Sequence, residues 1–192
     1  MINHLYIISG PNGAGKTTAS FTILPDILDC KEFVNANQIA FGLSPFDPDK
    51  VSMQAGKLMI ARINELMEKE VNFALETTLA SRSYVSFIKR AKNKDYVISL
   101  YYFWLSSVDI AKERVQKRIA NGGYNIPVET IERRYNRSIV NLVTLYLPIC
   151  DNWIILNSQN SNSEVIAYKK MAKKEQILNK DAWESILKQS KQ

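Results

Sequence analysis

Histidine, cysteine, glycine and proline are all scarce in this 192-residue chain, which holds one His, two Cys, seven Gly and six Pro. With His4 as the lone imidazole, a histidine-built metal site and a Ser-His-Asp triad are both left out. Cys30 and Cys150 lack metal-ligand spacing and read as buried, inert thiols of a reducing compartment. A chain of 46% hydrophobic and 23% charged residues is ordinary globular material, and no internal repeat stands out. Long apolar runs are missing too. Tyr96–Leu105, the longest, contains Ser99 and falls well short of the roughly 18 residues that a membrane span needs. It reads instead as a strand buried on both faces. The N-terminus has no basic segment and no cleavage site before its first apolar run, so a cytoplasmic protein without membrane contact is expected.

What is present suits one domain over residues 1–192. The net charge of +6 fits phosphorylated ligands and nucleic acid equally and does not choose between them. Strands are expected at Leu5–Ser9, Glu32–Ala36, Val71–Leu75, Tyr96–Leu105 and Trp153–Leu156, with Glu164–Tyr168 a further short candidate. Helices alternate with them: Lys16 to about Ile23, broken before Pro25; Lys50–Lys69; Tyr84–Ala91; Val108–Ala120; Pro127–Tyr146; and Asp181–Leu187. In the second of these the stripe Val51, Ala55, Leu58, Ile63, Leu66 and Met67 should face the core. Gly42–Asp49, with two prolines, reads as a loop. This alternation predicts a three-layer α/β fold with a parallel sheet of about five strands.

Gly10-Pro11-Asn12-Gly13-Ala14-Gly15-Lys16-Thr17 matches the P-loop pattern G-x-x-x-x-G-K-[ST] between a strand and a helix. Such a loop needs consecutive backbone N–H groups pointing into a concave turn, and glycines permit the φ angles that make it. The helix N-terminus adds partial positive charge for a phosphate. Lys16 is then expected to reach the β- and γ-phosphates of ATP, and the Thr17 hydroxyl to ligate Mg²⁺, with Thr18 completing the cofactor-binding stretch. A GTPase would carry Asn-Lys-x-Asp, which Asn93-Lys94-Asp95-Tyr96 and Asn179-Lys180-Asp181-Ala182 both miss.

Only one predicted strand ends in an acid: Glu76 follows Val71–Leu75, with Thr77 and Thr78 behind it. A carboxylate and hydroxyls at the carboxyl end of a strand beside the P-loop suit a hydroxyl-bearing acceptor. Arg114 and Arg118 share one helix face, and Arg133, Arg134 and Arg137 follow Gly122-Gly123. On the later helix Ile131, Tyr135, Ile139, Leu142 and Tyr146 form the apolar stripe, which puts those three arginines on the opposite side. Two arginine-bearing helices over 108–147, hinged at the glycine pair, suit the lid of a small-molecule kinase. The alternative is solvated helix surface paired with Glu113, Glu129 and Glu132. Lys169, Lys170, Lys173 and Lys174 receive no role.

The segments Gly10–Thr18, Phe33–Ala40, Leu75–Ser81 and Gly122–Arg137, in this order, resemble the zeta-toxin family of P-loop kinases in its short single-domain form. The family fold is a parallel sheet flanked by helices. Its toxin members phosphorylate the 3′-hydroxyl of the amino sugar in UDP-N-acetylglucosamine and are held inactive by an antitoxin. The resemblance implies an acceptor held by Glu76 and Thr77, and phosphates contacted by Arg118 and Arg134. It also marks a departure. Where the family reads Asn-Ala-Asp, with the aspartate as general base, this chain has Asn35-Ala36-Asn37. An amide cannot take the proton of the attacking hydroxyl, and losing a general base costs about 10²–10⁴ in rate. Tyr124 likewise stands where a His is common. Three readings follow: an ATP- and Mg²⁺-dependent kinase of a nucleotide-sugar or similar small acceptor; a nucleotide-binding protein of weak catalysis acting through a protein partner; and, less favoured, a nucleic-acid kinase.

Overall fold

A computed structural model describes residues 2–120, 123, 126–160 and 163–191. The apolar run after His4 forms β1 (His4–Ser9), and the P-loop leads into α1 (Lys16–Thr22). Beyond α1 the chain keeps turning through Ile23–Ile27 as one wide π turn with Pro25 inside it, rather than stopping before the proline. Then come β2 (Phe33–Asn35), α2 (Ala36–Leu43), α3 (Ser52–Glu68), β3 (Phe73–Thr77), α4 (Tyr84–Lys92) and β4 (Val97–Trp104). The second half runs through α5 (Val108–Ala120), α6 (Val128–Asn141) with a π turn at Leu142–Tyr146, β5 (Asn152–Asn157), β6 (Glu164–Lys169), β7 (Gln176–Ile177) and α7 (Lys180–Gln189).

The sheet has seven strands in the order β2-β3-β1-β4-β5-β6-β7, not about five. Its first five are parallel, as the alternation requires, and β6 and β7 extend it antiparallel. Strand β6 is the short candidate expected at Glu164–Tyr168, with a bulge against β5 at Ile155/Leu156, while β7 escapes a pattern reading because it is two exposed residues. Nearly every residue of β1 and β4 is buried, which demands cover on both faces and makes the fold three-layered.

Helix α2 is the element that the Gly42–Asp49 loop reading leaves out. Asn35 starts it: extended at φ −135°, ψ 117°, it accepts the backbone N–H groups of Asn37 and Gln38 on its side chain, as an N-cap does. Asn37 therefore occupies the first turn of a helix, not the end of a strand. In α3 the buried face is Ala55, Met59, Ile63, Leu66 and Met67, with Met59 taking the place expected of Leu58, which is exposed. All five expected stripe residues of the helix beyond Pro127 are buried: Ile131, Tyr135, Ile139, Leu142 and Tyr146.

Both cysteines are free and buried. Burial pushes the thiol pKa up to about 11 at Cys30 and about 12 at Cys150. Because only the thiolate attacks, both groups stay protonated and inert at pH 8. Ellman's reagent at that pH should find neither thiol in the folded protein and both in denaturant. Rapid stoichiometric labelling of the native chain would contradict this packing.

Candidate functional site

The P-loop leaves β1 through a glycine that nothing else could replace. Gly10 has φ +139°, and a Cβ there would lie 2.3 Å from the backbone oxygen of Phe103. The loop can thus hug β4 before turning into α1. At the other end Gly15 caps α1 in the left-handed region, so the first amides of the helix face outward without intrahelical acceptors. Such amides form a ready anion site. The buried Asn12 Oδ1 lacks a hydrogen-bond partner, an orphaned polar atom within the same loop.

Arg114 braces this loop. Its guanidinium donates to the carbonyls of Ser158 (2.7 Å) and Gln159 (2.5 Å), and more weakly to Gly13 (3.4 Å). The Ser158 hydroxyl donates to Ala14 O at 2.6 Å. The turn after β5 is in this way tied to the P-loop. Grouping Arg114 with the lid arginines was natural from its spacing, but its side chain is committed to main-chain oxygens.

Around Lys16 the site is built from four side chains. The ammonium donates to Pro11 O at 2.9 Å and lies 3.8 Å from Glu76 Oε1. Glu76 Oε2 accepts the Thr17 hydroxyl at 2.7 Å and the Asn35 amide at 2.8 Å. The parallel register explains the meeting, since Ile8 of β1 pairs with Glu76 and Asn35 of β2 pairs with Glu76 from the other side. Lys16, Asn35 and Glu76 are all buried. Burial pushes the Lys16 ammonium below its usual range; the carboxylate of Glu76 opposes this, and the charges of Arg118 and Arg134 add to it.

These groups open onto a cavity of about 420 Å³. Lys16, Arg133, Arg134 and Arg137 line it with positive charge, Asn37, Thr77 and Thr78 line it as well, and Glu76 is the one acid among its described lining residues. Arg118, exposed on α5, is not part of that lining. Two of the three acids that sequence spacing offered to the arginines pair with lysines: Glu132 with Lys112 at 2.6 Å and Glu113 with Lys117 at 2.6 Å. The first of these ties α5 to α6. Of the predicted hinge, Gly122 lies outside the described residues, as does Tyr124. Gly123 bonds the carbonyl of Arg118 at 2.9 Å, and a Cβ on it would come within 2.5 Å of Arg118 Cγ.

The turn behind β3 is held from α6. Asn141 Nδ2 donates to Leu79 O at 2.8 Å, the Tyr146 hydroxyl donates to Ser81 O, and Leu79 is kept at φ +57°. A buried leucine in the left-handed region is costly, and such strain gathers where surroundings fix a loop for use. Among the described residues no group of three or more His, Cys, Asp or Glu could hold a metal, and no helix is long and apolar enough to cross a membrane.

A mostly parallel sheet, with a P-loop at the carboxyl end of its central strand, defines the fold of the P-loop kinases. A zeta toxin model matches residues 48–168, well over half of the chain. The chain belongs to the zeta toxin family. The matched span begins after the P-loop, whose assignment rests on its own motif and geometry. An uncharacterised protein of Haemophilus influenzae is 28% identical over 137 residues, which are 70% of this chain and 94% of that one. Among solved structures, the AvrRxo1-ORF1:-ORF2 crystal structure with ATP superposes with a TM-score of 0.80 at 14% identity. The alignment takes 96% of this chain but only 63% of that one, so this chain spans less than two thirds of it. The PezAT chromosomal toxin–antitoxin system of Streptococcus pneumoniae gives a TM-score of 0.66 at 13% identity, over 98% and 86% of the two chains. At these identities the likeness is one of fold.

The two arginines of α5 should separate in a denaturant experiment. Arg114→Ala removes a charged donor from carbonyls and is expected to cost about 1.5–3 kcal/mol of unfolding free energy. Arg118→Ala, on an exposed surface, should change it by less than about 0.5 kcal/mol. Urea titrations giving equal losses for both would mean that Arg114 is not a brace.

Proposed function

We propose that this protein binds ATP with Mg²⁺ in the P-loop and transfers the γ-phosphoryl group to a hydroxyl of a small acceptor. The observation that carries the reading is that the P-loop Lys16 lines one cavity with Arg133, Arg134 and Arg137, with Glu76 the one acid among its described lining residues. Such a set of cations suits a polyphosphate, whose transfer is catalysed mainly by positioning and charge neutralisation. Gly10–Thr18 would wrap the phosphates, with Lys16 turning from Pro11 O to the β- and γ-oxygens. The donor set fits magnesium, a hard cation that takes oxygen ligands and is held by one or two protein groups plus phosphates. Thr17 would supply its hydroxyl, with Glu76 behind it, and the metal would neutralise charge on the β- and γ-phosphates. Glu76 Oε1, which makes no hydrogen bond closer than the Lys16 contact at 3.8 Å, would be available to an acceptor hydroxyl together with Thr77.

Family membership supports an acceptor of the UDP-N-acetylglucosamine type and an inhibitory antitoxin partner; the fold neighbours include complexes of two components. Asn37 favours a second reading as well. It lines the cavity from the first turn of α2 and is exposed there, with an amide where proton abstraction calls for a carboxylate. A nucleotide-binding protein of low turnover, acting through its partner, is the form this reading takes. A cytoplasmic site of action is part of the same proposal.

The test is ADP release, with and without UDP-N-acetylglucosamine and a panel of other sugar nucleotides, for wild type and Asn37→Asp. Wild type should turn over slowly, and Asn37→Asp should accelerate acceptor phosphorylation about 10- to 1000-fold, the scale of a general base. The variant's rate should climb as pH rises through the pKa of the new carboxylate, since only its ionised form accepts the proton. An Asp variant no faster on any acceptor, with ATP still bound, would remove Asn37 from the base position.

A further inference from the structure

Asn35 does two things with one amide. Its Oδ1 accepts the N–H groups of Asn37 (2.8 Å) and Gln38 (3.4 Å), and its Nδ2 donates to Glu76 Oε2 at 2.8 Å, with the Thr17 hydroxyl 3.4 Å away. The N-cap of α2 is thereby the support of the carboxylate that orients Thr17. Of the preferred capping side chains, Asp would cap equally well but would set a second negative charge against Glu76. Ser also caps, yet its short hydroxyl cannot reach across to β3 while it does so. Only Asn presents an acceptor and a donor far enough apart for both partners. It is buried, so water is a poor substitute for either bond.

The consequence lies at Thr17. While its hydroxyl proton is given to Glu76 Oε2, the lone pairs of Oγ1 are turned away from that carboxylate; the Asn35 amide meets one of them at 3.4 Å, and the other is available to a cation. Outer groups of this kind orient a ligand and raise its basicity. We propose that Asn35 is a positioning residue of the magnesium side: it fixes Glu76, Glu76 fixes Thr17, and the same amide seats the helix turn that carries Asn37. The inference rests on the reading of Thr17 as a magnesium ligand. It adds a residue to the site and couples the metal side of the cavity to its acceptor side.

The experiment is calorimetric titration of the full chain with a non-hydrolysable ATP analogue, in Mg²⁺ and in EDTA. For Asn35→Ser the cap survives but the buried Glu76 loses one donor, so the melting temperature should fall less than in Asn35→Ala, while the EDTA affinity stays near that of wild type. The gain in affinity that Mg²⁺ confers should fall about tenfold or more, as for other outer-sphere groups. Asn35→Ala, losing the cap as well, should show the same reduced gain together with a lower melting temperature. If Asn35→Ser keeps the full wild-type gain, Asn35 is a helix cap and nothing more. A loss equally large in EDTA would place the damage on the phosphate loop and would also overturn the proposal. Should Asn35→Ser fail to fold, Glu76→Gln reads the link from its other end: a retained Mg²⁺ gain there would refute it, and a lost gain would support it. A wild-type chain that binds no nucleotide would instead defeat the proposed function itself.

Discussion

A carboxylate taken out of water must be given donors, or the fold that buries it becomes unfavourable by several kcal/mol. Glu76 is such a group. It receives hydrogen bonds from Thr17 and Asn35 and has the Lys16 ammonium 3.8 Å away. Three different strand-to-helix junctions are therefore bound to one side chain: β1 to α1 through Lys16 and Thr17, β2 to α2 through Asn35, and β3 through Glu76 itself. The parallel register that places these strand ends level also decides which residues can share the site. Remove the acid, and the P-loop lysine loses a nearby charge that favours its protonated state.

The cations answer to the same constraint. Lys16 is held among positive neighbours that push its pKa down, with one acid pushing back. Helix α6 serves this arrangement on both of its sides. Its apolar stripe packs into the core, Asn141 pins the strained Leu79 turn, and Arg133, Arg134 and Arg137 reach the cavity. Arg114 stands apart, because a guanidinium spent on main-chain carbonyls shapes the loop rather than meeting a ligand there.

Much of this was legible in the residue order. The P-loop, the alternation of strands and helices, the limits of α5 and the stripe of α6 all follow from local periodicity, and the zeta toxin family was visible in four short segments. What escaped depended on contacts between distant residues. Glu76 could be placed at a strand end by pattern, but its attachment to Thr17 and Asn35 needed the register of three strands. Helix α2 was hidden because Gly42 and two following prolines dominate the local signal, whereas its start depends on one capping side chain, Asn35. Arg114 and Arg118 are four residues apart and look alike in a helical projection. Only the position of the turn after β5 tells them apart. Strand β6 was legible at Glu164–Tyr168, whereas β7 failed for a plainer reason: a two-residue edge leaves almost no period-two pattern to detect.

The central claim is that the buried Lys16 exists to meet nucleotide phosphates. Lys16→Met keeps the aliphatic stem and deletes the charge, so it tests that claim with little loss of packing. Isothermal titration of ATP with Mg²⁺ into wild type should give one site per chain, and the folded Lys16→Met protein should bind far more weakly or not detectably. Equal affinity in the two proteins, with the variant's circular dichroism unchanged, would contradict the account at its base.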